Sequence, residues 1–249
     1  PIYDIVAFNK SGTNWFNELF KPALKQTHNV TVSGGSDKNR YLFSMSYLDE
    51  QGTYLNTYLK RYTARVNTEF TLLNTIRIGE NLQLEYSQNP RTGNWIGPII
   101  FTDPYLPVKD IKGNWSNKNN ALAGPVGDPY GSNPVAQRIA SKDDKDNSWQ
   151  IFGNIYGEVD FLKKFTFRTN FGGPLNYYYS YNYAYGTYEP PPNGFNSSFS
   201  ERSGYSRAYT WTNTLTYTTT FRNDHHLKVL AGTEIKDSYN REQGGSRTG

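Results

Sequence analysis

The sequence predicts an all-β fold: an antiparallel up-and-down section of a transmembrane β-barrel, about eight strands of a larger wall. Three observations carry this reading. The first is period-two alternation along runs too long for a soluble sheet. The second is the strict alternation of short and long connections. The third is the spacing of aromatic residues, which matches the apolar thickness of an outer membrane.

The clearest alternation runs from Tyr62 to Leu72. Tyr62, Ala64, Val66, Phe70 and Leu72 share one face, and Thr63, Arg65, Asn67, Glu69 and Thr71 share the other. Between Tyr209 and Phe221 one face carries Tyr209, Trp211, Leu215, Tyr217 and Phe221, interrupted by Asn213 and Thr219. Its reverse is threonine from Thr210 to Thr220. Threonine and aromatic residues are strand formers on a pleated surface. The same alternation predicts strands near 27–35, 40–49, 60–72, 76–88, 148–161, 165–185, 206–221 and 227–240.

Ser36–Asn39, Leu73–Thr75, Leu162–Lys164 and Arg222–His226 read as tight turns. The alternate connections, 50–59, 89–147 and 186–205, are long. A meander then has every short turn at one end and every long loop at the other, as in barrels with short periplasmic turns and long extracellular loops. Tyr62 to Leu72 spans about ten residues, as does Trp211 to Phe221. At roughly 3.3 Å per residue and a tilt of about 40°, each rises about 25 Å, the height of the apolar band between aromatic girdles. Tyr209 and Trp211 belong to the outer rim by this count. Phe221, with Phe161 and Phe165 near the neighbouring turn, belongs to the inner rim. The opposite face, with Arg65, Asn67, Glu69, Gln83, Glu85, Glu158, Arg168 and Lys228, is too charged for a soluble core and suits a lumen lining.

Composition agrees. The chain has 249 residues, a mean hydropathy of −0.75 and 16% aromatic residues, including 21 Tyr and 5 Trp. Such aromatic content argues against disorder. The net charge of +4 is spread along the chain and does not predict a nucleic-acid partner. There is no cysteine, hence no disulfide or thiolate chemistry. No apolar run is long enough for a transmembrane helix, which leaves a barrel open. A soluble carbohydrate-binding β-sandwich is the main alternative, because it too alternates polar and apolar residues. Its strands usually run to about 5–6 residues, shorter than those predicted here.

The search for catalytic and metal-binding groups predicts neither an enzyme nor a cofactor. His225 and His226 fall in a tight turn. No HExxH, P-loop or GxSxG pattern occurs. Asp143–Asp146 resembles the start of a calcium loop, but Trp149 stands where its glycine belongs when counting from Asp144. Asp49–Glu50 lacks a placeable partner carboxylate, so a surface hydrolase is a third and weaker reading. The loops hold the binding candidates. Trp95, Tyr105, Trp115 and Tyr130 lie in loop 89–147 and Tyr188 in loop 186–205, among Asn, Asp and Gly. Flat rings among amides suit stacking on sugars. The same rings can equally pack a loop against itself.

The ordered segments His28-Asn-Val-Thr-Val-Ser-Gly-Gly-Ser36, Tyr41-Leu-Phe-Ser-Met-Ser-Tyr47, Glu50-Gln-Gly52, Lys60-Arg-Tyr-Thr-Ala-Arg65 and Ile76-Arg-Ile-Gly-Glu-Asn-Leu82 form a recognisable succession. So do Asp128-Pro-Tyr-Gly-Ser-Asn-Pro-Val135, Phe165-Thr-Phe-Arg-Thr-Asn-Phe-Gly172 and His226-Leu-Lys-Val-Leu-Ala-Gly-Thr-Glu234. Together they resemble the SusC-like (SusC/RagA) family of TonB-dependent outer-membrane transporters of Bacteroidetes. The resemblance implies a barrel of about 22 strands in the bacterial outer membrane, a plug domain, a SusD-like surface lipoprotein as lid, and energy relayed by TonB. It implies import of glycans, or of peptides in some branches. Residues 1–25 are then an extracellular segment leading into the wall, and 26–249 are the wall. No plug or TonB box is recognisable, and the raw ends at Pro1 and Gly249 are read as those of a piece. Such a piece has two open strand edges that lipid cannot satisfy. Reconstituted alone, it is expected not to form a monomeric, heat-modifiable barrel, which gel mobility of heated and unheated samples in detergent would reveal.

Overall fold

A computed structural model describes residues 11–91, 96–104, 106–109, 113, 115–116, 133–184, 197–222 and 224–249. The strands are β1 (Lys25–Gly35), β2 (Asn39–Gln51), β3 (Tyr58–Leu72), β4 (Ile76–Pro90), β5 (Lys145–Phe161), β6 (Phe165–Ala184), β7 (Ser198–Phe221) and β8 (His225–Thr248). Among the described residues three short helices lie outside the sheet: α1 (Trp15–Leu19), α2 (Ile96–Phe101) and α3 (Pro134–Ala140). All eight strands form one antiparallel sheet in the order β1 to β8. The two-sheet sandwich that alternation also permitted is not formed.

Tight turns fix the register. Leu73 and Asn74 have φ of 53° and 56°, and Leu162 and Lys163 have 51° and 54°. Two consecutive positive-φ residues make the type I′ hairpin, whose twist matches that of paired strands. The registers reveal the tilt. The last rungs at this end are Gly35↔Arg40, Leu72↔Ile76, Phe161↔Phe165 and Phe221↔His225. Arg40 shares a rung with Glu69, Gly79, Tyr156, Asn170 and Thr212. The hairpin ends therefore step down by about nine residues, roughly 30 Å, across six strand spacings of about 4.8 Å. That shear corresponds to a strand tilt of about 45°, as in outer-membrane barrels.

One face of the sheet is apolar and uncovered. Val30, Met45, Leu84, Ile151, Phe167, Leu215 and Val229 all point outward and are exposed. Thr68 and Glu80 share a rung within this band and interrupt it. Above the apolar rows runs an aromatic one. Tyr47, Tyr62, Tyr86, Trp149 and Tyr177 face one another on successive strands, with ring centroids 4.9, 6.2, 5.1 and 5.4 Å apart. The next rung outward is polar: Asp49, Lys60, Gln88, Asn147 and Tyr179. Apolar, then aromatic, then polar is the profile of a lipid interface. At the other rim Phe161 stacks on Phe165 at 5.5 Å, and Phe165 meets Tyr217 at 4.9 Å.

Two boundaries differ most from the sequence expectation: β7 opens at Ser198 rather than near 206, and β8 runs to Thr248 rather than ending near 240. Residues 198–205, expected in a loop, open β7, where they pair with β6 and β8. Because of the shear, the outer ends of β7 and β8 stand beyond the apolar band. Their outward residues there include Arg207, Asp237 and Arg241, and no apolar alternation marks them as strand. Cross-strand hydrogen bonding and the Tyr205–Tyr239 ring contact, at 5.8 Å, hold them instead.

Candidate functional site: a polar wall beneath a packed loop platform

The face opposite the lipid band bears hydrogen-bonding side chains. The registers place every charged residue expected there on it. Near the short-turn end, Glu158 receives both Arg77 and Arg168, the latter at 3.2 Å. Arg77 also meets Asp160 at 2.7 Å. The Tyr156 hydroxyl donates to Glu69 at 2.5 Å, and the Arg168 guanidinium lies 4.0 Å from the Tyr156 ring centroid. Four strands are thus laced by one network. Further toward the long loops a row of neutral groups crosses β4 to β7, and ion pairs recur nearer the long-loop end, Lys25 with Glu50 and Arg202 with Glu242. Asn81 donates to Asn154 at 3.2 Å, and Asn154 to Asn170 at 2.6 Å. Gln150 donates to Asn176 at 2.8 Å, and Asn176 to Ser206 at 3.2 Å. A hollow of about 500 Å³ borders these amides, lined by Asn154, Arg168, Asn170, Gly172, Thr210, Thr212 and Thr214. Gly172 allows the strands to close here: a Cβ would run into the Gly153 carbonyl oxygen.

Above the wall, the long-loop segments pack on each other. Trp15, Leu19, Leu106 and Val135 are buried together, with Phe20, Tyr54, Leu55, Ile99, Val108 and Trp115 against them. Asn14 caps α1, its side chain accepting from Asn17. Asn133 caps α3, accepting from the Val135 and Ala136 amides at 3.1 Å each, while its own amide donates to the Val108 carbonyl at 2.8 Å. Pro134 follows at the first helical position, where its missing N–H costs nothing. Thr13 donates to the Leu106 carbonyl at 2.6 Å, and the Trp15 indole to the Asp103 carbonyl at 2.9 Å.

Arg138 is the pin of this platform. Its side chain is 0% exposed. It donates to the carbonyls of Leu55 and Asn56, both at 2.9 Å, and to the Ser141 hydroxyl at 3.2 Å. The Asn56 amide returns a bond to the Arg138 carbonyl at 2.9 Å, and the guanidinium sits 5.1 Å from the Tyr54 ring centroid. Burial lowers the Arg138 pKa from its ordinary value and raises the Tyr54 phenol's. Asp144 joins the platform to the strands. Its carboxylate accepts the Tyr183 amide at 2.8 Å, and its carbonyl accepts the Arg91 amide at 3.2 Å. Burial pushes its carboxyl above the usual range, opposed by the Tyr183 hydrogen bond.

Of the candidate contact residues, Trp115 is described. It is half-buried against the platform core, bridges to Lys109 through the backbone, and has the Lys109 ammonium 4.7 Å from its ring centroid. Trp95, Tyr105, Tyr130 and Tyr188 lie outside the described residues. Sequence reasoning did not single out Arg138 or Asn56, since neither stands in a pattern that announces burial. Among the described residues no group of acidic residues and histidines is placed to hold a metal ion.

No protein-family model matches the chain. It is 28% identical over 167 residues to the TonB-dependent receptor SusC of Bacteroides thetaiotaomicron, covering 61% of this chain and 16% of that one. It is 23% identical over 229 residues to the TonB-dependent receptor P26 of Formosa agariphila, covering 90% and 22%. The chain therefore spans about a fifth of the length of these relatives. Its fold superposes on the RagAB peptide importer in the closed-closed state with a TM-score of 0.80 at 20% identity, over 97% of this chain and 27% of that one. In sequence the chain is similar to part of the SusC-like TonB-dependent receptors, and in fold to a section of such a receptor's β-barrel wall.

Proposed function

We propose that this wall serves a TonB-dependent importer that takes up oligosaccharides together with a SusD-like surface lipoprotein. It supplies the membrane barrier, part of the lumen lining and the platform under the lid. TonB acts through a part of the receptor outside this chain. The work is binding and gated passage, without bond chemistry. The observation that carries the reading is the row of neutral amides and hydroxyls that crosses β4 to β7 on the lumen face. Rows of amide and hydroxyl groups match solutes that are themselves hydroxyl-rich and uncharged. A peptide substrate is the second reading, supported by the superposition on the RagAB peptide importer.

Trp95, Tyr105, Trp115, Tyr130 and Tyr188 are the proposed substrate contacts. In the intact transporter, Trp95→Ala with Trp115→Ala is expected to weaken glycan binding about thirtyfold, at roughly 1 kcal/mol for each stacking ring removed. Trp95→Ala alone separates stacking from any loosening of the platform that anchors Trp115. Unchanged glycan affinity in the double variant would remove both residues. Competition by oligopeptides but not by oligosaccharides would replace the glycan reading with the peptide one.

A further inference from the structure

The lipid face holds a feature that transport does not use. Beneath the aromatic row, on the long-loop side of the membrane, lies a trough of about 610 Å³. Its floor is the rung Val30, Met45, Ala64, Leu84 and Ile151. Ala64 is the hollow: every other side chain on that rung is larger. The trough crosses five strands, about 19 Å at 4.8 Å per spacing. That is the width of several acyl chains side by side. The rings of Tyr47, Tyr62, Tyr86 and Trp149 form its upper lip, and His28 closes one end.

Charge sits directly above the lip. Lys60 lies two residues beyond Tyr62 on the same face, and Lys145 lies four beyond Trp149. Lys60 has its ammonium 5.8 Å from the Tyr58 ring centroid and forms no ion pair among the described residues. Asp49 is opposite Lys60 in register, but its carboxylate is taken by the Tyr47 hydroxyl at 3.2 Å and the Gln51 amide at 2.9 Å. The arrangement is a wide apolar bed, an amphipathic aromatic edge and cations at headgroup height. It fits an amphiphile with several chains and an anionic head.

We propose that this trough is a binding site for a phosphorylated, multiply acylated glycolipid of the outer leaflet. Its chains occupy the hollow at Ala64 and its phosphate lies against Lys60. The inference rests on the membrane placement of the wall and is independent of the imported substrate.

The test uses the intact receptor, exchanged through detergent and examined by native mass spectrometry with diphosphorylated lipid A, its dephosphorylated form or phosphatidylglycerol. Wild-type receptor is expected to retain diphosphorylated lipid A at least fivefold better than either other lipid. Lys60→Gln is expected to abolish that preference. Ala64→Phe, which fills the hollow with another apolar group, is expected to reduce retention at least fivefold. Ala64→Leu substitutes for it if the phenylalanine variant does not assemble. Wild-type retention in either variant would mean annular lipid only and overturn the proposal. Equal retention of phosphatidylglycerol would overturn it as well.

Discussion

Arg138→Met is expected to release the loop platform while leaving the wall intact. The guanidinium donates to two carbonyls on the β2–β3 connection, those of Leu55 and Asn56. Methionine fills similar volume but donates nothing, so both carbonyls are left buried without a donor. At about 1–3 kcal/mol for each unsatisfied group, and with the guanidinium's own desolvation relieved, the local loss is about 2–4 kcal/mol. This corresponds to roughly 30- to 700-fold faster exchange of the amides it protects. Those are Leu55, which donates to the Leu19 carbonyl at 2.8 Å, and Gly52 and Thr57, which bond within the connection. Lysine keeps the charge but not the planar fork, so Arg138→Lys is expected to fall between wild type and methionine. Hydrogen exchange followed by mass spectrometry on the intact receptor reads the effect. Unchanged protection across 52–57 and 134–141 would show that the apolar cluster around Trp15 and Leu19 holds the platform by itself. Under the proposed transport role the consequence is direct, because Trp115, which packs against the platform, keeps its position only while the platform does.

The wall was legible in the sequence for a physical reason. Each strand residue between lipid and lumen is forced to one side by a period of two, and a single slip would reverse both faces. Tyr62–Leu72 and Tyr209–Phe221 therefore declare their faces without any knowledge of their neighbours. The turns at Leu73–Thr75 and Leu162–Lys164 were found by their length and polarity. Their leucines, in a left-handed conformation that favours glycine or asparagine, would not have indicated the turn type. The outer part of β7 escaped because alternation records the membrane, and 198–205 stands above it. The platform escaped for a different reason. Arg138 and Leu55 are 83 residues apart, and Trp15 and Asp103 are 88 apart. Their meeting depends on how loops fold over a completed wall, and no local period encodes that. Asn133-Pro134 was visible as a motif, and its capping role follows from residue chemistry, but the buried arginine one turn later carried no such signal.

The division of the wall into two faces makes the second large prediction, a pair of substitutions one residue apart. Leu215 faces lipid and Thr214 faces the lumen. Leu215 lies about six residues above the inner end of β7, which at the 45° tilt is about 14 Å, near the middle of a band about 25 Å tall. Leu215→Arg is therefore expected to cost about 2–4 kcal/mol of barrel stability, the range for arginine on the lipid face at the midplane. Thr214→Arg places the same charge in water beside Arg168, its partner on the same rung. Repulsion between exposed like charges on opposed strands is smaller, under about 1 kcal/mol. Unfolding of the intact receptor from vesicles in denaturant measures both. The contrast between adjacent positions is more informative than either value. Equal losses would mean that the two faces do not meet different solvents, and the assignment of lipid and lumen sides would fail. A larger loss at Thr214 would reverse it. If the contrast holds, the ion-paired network at Glu158 and the amide rows at Asn154 and Asn176 lie on the wetted side, as the proposed importer requires.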